Sequence, residues 1–175
     1  MEIPRGIVLL PGNRYRDDMN ELDLIAIRRL QTDGRATWAA LGAELGMTGP
    51  AAAERVRRLE GRGAIRGYAA LLDPEAVGLP LTAFVALTLE RPEHQAGFLD
   101  RVAALPEVQE CHHVAGEDDY LLKVRCRGTL DLDRLLSDHL KSIPGVARTR
   151  TTVVLRTFKE TPTLPLPEAR PLSSV

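Results

Sequence analysis

The sequence predicts an α+β chain: an N-terminal winged helix-turn-helix domain of three helices, joined by a strand linker to a C-terminal ferredoxin-like βαββαβ domain. Three observations predict it. Apolar residues recur at helical spacing between residues 20 and 62. The pattern changes to a two-residue period at residue 81. From there the elements follow the order strand, helix, strand, strand, helix, strand.

The predicted boundaries are a tail over residues 1–19, the helix-turn-helix domain over 20–66, a linker strand over 67–79, the sheet domain over 80–158 and a proline-containing tail over 159–175. Pro4, Gly6, Pro11 and Gly12 break any regular element in the first tail, whose Arg5, Arg14 and Arg16 are candidates for touching a phosphate backbone. The first helix starts at Asn20, with Ala26, Ile27 and Leu30 on its core face and Asp23 one turn earlier. Leu22, Leu24 and Ile25 give it more apolar surface than one packing face uses, so a partner subunit or residues 7–10 are expected to cover the excess. Asp33-Gly34 is a turn, and Thr37 caps a second helix through Trp38, Leu41 and Leu45 to Gly46.

Thr48, followed by Gly49-Pro50, caps the third helix. Ala52, Val56 and Leu59 share one face, Arg55, Arg58 and Arg62 form a stripe beside it, and Arg57 points away from the core. Residues 47–66 hold five arginines against two glutamates, Glu54 and Glu60. A short basic helix after a helix and a tight turn has the form of a helix-turn-helix reader of DNA, whose outer face enters a phosphate-lined groove. In such a reader Arg57 suits a guanine edge, Glu54 a cytosine amine and Ala53 a thymine methyl. Thr48, Arg58 and Arg62 suit phosphates, and Arg55 joins the DNA-contacting candidates, with a structural alternative because it borders the core and is placed to pair with Asp23. The alternative is an ordinary packed helix with a solvated basic face. The formal net charge of −1 confines any nucleic-acid contact to a local patch.

Residues 65–72 read as a strand, ended by Asp73-Pro74. Leu81, Ala83, Val85, Leu87 and Leu89 then alternate with Thr82, Phe84, Ala86, Thr88 and Glu90. Phe98, Leu99, Val102 and Leu105 mark a helix, and residues 107–115 and 120–127 mark two strands around the turn-forming Gly116-Glu117-Asp118-Asp119. Leu132, Leu135, Leu136 and Leu140 make a second helix, closed by Ile143-Pro144-Gly145, and residues 146–158 a last long strand. The final tail, with Pro162, Pro165, Pro167 and Pro171, is expected to be extended and loose.

Cys111 and Cys126 give neither zinc spacing nor a disulfide framework, which suits a reducing, cytoplasmic setting. The apolar run at residues 7–10 is too short for a membrane span. His112 and His113 are neighbours on a strand, so they point to opposite faces and do not share a metal. No metal, cofactor, phosphate loop or activated nucleophile is indicated.

Residues 23–67 resemble the DNA-binding half of the Lrp/AsnC, or feast/famine, regulators, through Asp23, Ile27, Leu30, Asp33-Gly34-Arg35, Leu41, Arg55, Arg58-Leu59-Glu60, Gly63, Ile65 and Gly67-Tyr68. Leu72-Asp73-Pro74 and Gly78 continue the likeness. Val108, Cys111, Val114, Gly116, Asp119-Tyr120-Leu121-Leu122, Pro144-Gly145-Val146 and Thr151-Thr152 resemble that family's ligand-sensing half. The resemblance implies a non-enzymatic transcriptional regulator that binds double-stranded DNA as a homodimer paired through the second domain and assembled into tetramers or octamers. It also implies an amino-acid effector bound near Gly116, Asp119, Tyr120, Thr151 and Thr152. Backbone N–H groups around Gly116 would take the effector's carboxylate and Asp119 its ammonium group; a tight hairpin turn with Asp119 bonded to nearby backbone is the plainer reading. The Gly49-Pro50 opening leaves few polar side chains at the start of the third helix, so DNA shape is expected to carry much of the sequence preference. Two alternatives stay open: an effector-independent architectural DNA-binding protein, and a haem-precursor decarboxylase of the same build, for which His112, His113, Arg125 and Arg148 are the residues to suspect.

Overall fold

Asn20 starts the first element because its side chain accepts the Asp23 N–H at 3.0 Å while the Asp23 carboxylate accepts the Asn20 N–H at 3.2 Å, a reciprocal cap. Helix α1 (Glu21–Thr32) follows, then α2 (Trp38–Leu45) capped by Thr37 and α3 (Gly49–Gly61) capped by Thr48. The computed structural model describes residues 19–167. Those residues cluster into two compact units, one of residues 19–70 with 160–167, the other of residues 71–159.

In the first unit Ala26, Leu30, Leu41, Leu45, Ala52, Val56 and Leu59 form the core. Ile27 packs at its border and Trp38 is 46% exposed, so neither lies as deep as the periodicity suggests. The tight turn between α2 and α3 depends on Gly42, where a Cβ would lie 2.7 Å from the Met47 carbonyl oxygen. Leu22, Leu24 and Ile25 are half-buried. The expectations placed on residues 7–10 and on Arg5, Arg14 and Arg16 fall outside the described residues.

The expected strand over residues 65–72, whether wing or linker, does not form. Among the described residues no strand pairs with this segment, so its backbone runs irregularly, with Tyr68, Leu71 and Leu72 at least half exposed. Residues 74–78 then turn, the Leu79 N–H reaching the Pro74 carbonyl at 2.8 Å.

The second unit holds β1 (Leu81–Leu89), α4 (Gln95–Ala103) after a 3-10 turn, β2 (Val108–His113), β3 (Tyr120–Cys126), α5 (Thr129–Arg134) and β4 (Val146–Val153). Helix α5 continues as π-helix over Leu135–Leu140. The sheet order is β2-β3-β1-β4 with every neighbouring pair antiparallel, which gives two interleaved split βαβ units. Ala83, Val85 and Leu87 of β1 and Leu122 and Val124 of β3 face the helices and pack with Phe98, Val102, Leu132, Leu135 and Leu140. The other face of β1 carries Phe84, more than a third exposed, beside the buried Thr82 and Ala86.

Two further expectations change. The last strand ends at Val153, not at residue 158, because β1 begins at Leu81 and pairing stops near Ala83 opposite Val153. The tail is not loose as far as residue 167. The Leu164 N–H donates to the Gln31 side-chain oxygen at 2.8 Å, the Gln31 amide donates to the Leu164 carbonyl at 3.4 Å, and Arg28 donates to the Pro167 carbonyl at 2.6 Å.

Candidate nucleic-acid interface and ligand loop

Helix α3 sorts its side chains sharply. Ala52, Val56 and Leu59 are at most 1% exposed, whereas Glu54, Arg57, Arg58 and Arg62 stand in solvent. Arg57 pairs with Glu54 at 2.8 Å, both side chains being more than half exposed. An ion pair so exposed is worth under about 1 kcal/mol, so either partner is available to another ligand. Thr48 caps the helix through its hydroxyl oxygen, which accepts the Ala51 N–H at 3.4 Å.

Two residues expected to reach DNA are placed otherwise. Ala53 is 5% exposed, so its methyl has no free surface to offer a base. Arg55 turns inward: its Nη1 donates to Asn20 Oδ1 at 2.9 Å and to Asp23 Oδ1, the two charged side chains being 14% and 8% exposed. A pocket of about 90 Å³ lined by Asn20, Asp23, Arg55, Arg58, Leu59 and Arg62 opens beside this pair. Behind α3, the Tyr68 hydroxyl donates to Glu60 at 3.0 Å, and burial together with that carboxylate pushes the phenol up to about 12. The tyrosine thereby ties the irregular segment to the C-terminal end of the helix.

The loop between β2 and β3 is locked by its two aspartates. Asp119 accepts the Leu89 N–H at 2.7 Å and donates its own N–H to the Leu87 carbonyl at 2.9 Å, so it ties the loop to the end of β1. Asp118, which nothing in the sequence pattern separates from its acidic neighbours, is the buried one. It accepts from Arg150 at 2.5 Å, Arg148 at 3.4 Å and the Thr88 hydroxyl at 3.3 Å. Gly116 lies exposed at the loop's tip. Tyr120 is a core residue: it is 3% exposed, with Phe98 at 4.7 Å and His113 at 5.1 Å between ring centroids. Thr151 stands opposite the buried Val85 and Thr152 opposite the exposed Phe84, so the two hydroxyls face opposite sides of the sheet and do not meet one ligand together.

The four residues suspected of decarboxylation are dispersed. His113 stacks on Tyr120, His112 bonds Glu110 at 3.0 Å, Arg125 is buried and bonds Gln109 at 3.3 Å, and Arg148 belongs to the Asp118 cluster. Among the described residues no three His, Cys, Asp or Glu side chains converge on a metal position, and no helix is long and apolar enough to cross a membrane.

Comparison with known proteins matches both units. The family model described as the Lrp/AsnC ligand binding domain matches residues 82–164, and that of the AsnC-type helix-turn-helix domain matches residues 19–60. The chain is 41% identical over 140 residues to the HTH-type transcriptional regulator LrpA of Mycobacterium tuberculosis, covering 80% of this chain and 92% of the relative. It is 41% identical over 145 residues to the leucine-responsive regulatory protein of Escherichia coli, covering 82% and 88%. A solved transcriptional regulator of Neisseria meningitidis in complex with L-methionine superposes with a TM-score of 0.79 at 32% identity, covering 84% of this chain and 96% of that one.

Proposed function

Because the chain belongs to the Lrp/AsnC family of transcriptional regulators, we propose that it is a cytoplasmic homodimer that lays α3 in the major groove of duplex DNA and answers to an amino acid. Family membership itself makes it a helix-turn-helix transcriptional regulator with a ligand-binding domain. Pairing through the sheet unit would present two α3 helices to two half-sites about one helical turn apart, which compensates for the few contacts one short helix makes.

One observation carries the DNA reading: α3 has a fully buried apolar face, while Arg57, Arg58 and Arg62 stand exposed on the surface it leaves free. Arg57 reads a guanine edge once DNA displaces its weak pair with Glu54, which then accepts from a cytosine amine. Arg58, Arg62 and the Thr48 hydroxyl hold phosphates. Arg55 acts at one remove, by fixing α1 against α3 through Asp23.

The effector reading rests on the loop at Gly116 and on the relative solved with L-methionine. Backbone N–H groups around Gly116 take the ligand's carboxylate, while Asp119 shapes the loop by tying it to β1. Fluorescence anisotropy of labelled promoter DNA, with each of the twenty amino acids added in turn and light scattering in parallel, tests both halves. At least one amino acid shifts DNA affinity or assembly mass, and Arg57→Ala lowers specific binding more than nonspecific binding. A response to none of the twenty leaves an architectural protein, and equal losses on both kinds of DNA remove Arg57 from the base contact.

A further inference from the structure

The tail that the sequence leaves without a role is bound in the structure, and what binds it is chemically specific. Gln31 pairs its side-chain amide with both the N–H and the C=O of one residue, Leu164, as a neighbouring strand would. Arg28 takes the Pro167 carbonyl. On α1, residues 28 and 31 are three apart and share a face. In the tail, residues 164 and 167 are also three apart, and a polyproline II strand has three residues per turn, so their carbonyls align along one side. Pro162, Pro165 and Pro167 favour that conformation before docking, which lowers the entropy cost of binding. The contacts read backbone, not side chain: Leu164 itself stays 67% exposed. Leu24 and Ile27 continue the same stripe of α1 and are half-buried.

We propose that the outer face of α1 is a docking surface for an extended, proline-spaced segment, that its occupant is residues 164–167 of this chain, and that the docked tail transmits effector state to the DNA-binding unit. The covalent path supports the transmission. The tail leaves β4, the strand that carries Thr151 and Thr152, and ends on the unit that carries α3, so the chain enters that unit twice. An effector that alters the end of β4 thereby acts on α1 through the tail as well as through residues 66–80. This part rests on the amino-acid reading above; the docking does not.

Three variants of the full protein test it: a chain ended after Lys159, Gln31→Ala, and Leu164→Pro, which removes the N–H that Gln31 accepts. Hydrogen–deuterium exchange of α1 reads the docking. Faster exchange of α1 amides in all three variants, with α4 and α5 unchanged, is expected; unaltered α1 exchange overturns the docking. The ratio of DNA Kd with and without each of the twenty amino acids reads the transmission. A ratio that departs from one in the intact chain and falls toward one in the chain ended after Lys159 is expected. An undiminished ratio in the shortened chain overturns the transmission while leaving the effector reading intact. If no amino acid moves the intact chain's ratio, the effector reading and the transmission fail together, and exchange alone decides the docking.

Discussion

Replacing Arg55 by alanine separates its structural role from a DNA-contacting one. Its guanidinium is the counter-ion of Asp23, whose side chain is 8% exposed, and it also donates to Asn20 at 2.9 Å. Without it the carboxylate stays buried with its capping bonds but no positive partner, a defect that costs about 3 kcal/mol. For a cooperative unit of some 60–100 residues each kcal/mol moves the midpoint about 4–8 °C, so the helical unit should melt roughly 12 °C or more below the unaltered chain. The protein's single tryptophan, Trp38, lies on α2 and reports that unit selectively. Fluorescence melts of Arg55→Ala, Asp23→Ala and the double variant form the assay. The double variant should be less destabilised than the two single losses summed, because the partners are removed together. A midpoint within about 1 °C of the unaltered chain, combined with a loss of DNA affinity equal to that of Arg58→Ala, would refute the reasoning and return Arg55 to the DNA surface.

Two more perturbations follow from the sheet unit. Gly145→Ala puts a Cβ 2.1 Å from the His94 ring at a backbone φ of +88°, so left-handed strain and overpacking together should cost about 3 kcal/mol or more, measured as a lower urea midpoint by far-UV circular dichroism. The His112 hydrogen bond, followed by the Lys123 charge, holds the Glu110 carboxyl below its ordinary value. A carboxyl lowered in the folded state contributes stability that is complete above its unfolded pKa of about 4.3 and is lost as pH falls through the folded value. Glu110→Gln should therefore match the unaltered chain below that window and be slightly less stable at pH 6, and a difference that grows as pH falls would contradict the assignment.

The elements that were legible in the sequence owe this to local chemistry. Thr37 and Thr48 cap helices because a hydroxyl oxygen before an apolar period has one obvious use, and Ala83, Val85 and Leu87 alternate because one face of β1 is dry. What failed depends on partners distant in the chain. Residues 65–72 have strand-like composition but no strand beside them among the described residues, and residues 154–158 outrun the length of β1. Ala53 and Tyr120 lie deeper than their spacing suggests, because spacing gives a face and not a depth. Asp118, between two other acids, and Gln31, mid-helix, carry no pattern; only the arginines of β4 and the returning tail reveal them.

The central claim is that the exposed arginines of α3 meet duplex phosphates, and the salt dependence of DNA affinity tests it most directly. Each phosphate contact contributes about 0.9 to the slope of log K against log salt concentration. Arg58→Ala should therefore flatten that slope by about one for each α3 helix engaged, with melting of the helical unit unchanged, and Arg58→Ala with Arg62→Ala should flatten it by about twice as much. An intact chain whose affinity ignores salt, or a double variant whose slope equals that of the intact chain, would contradict the account.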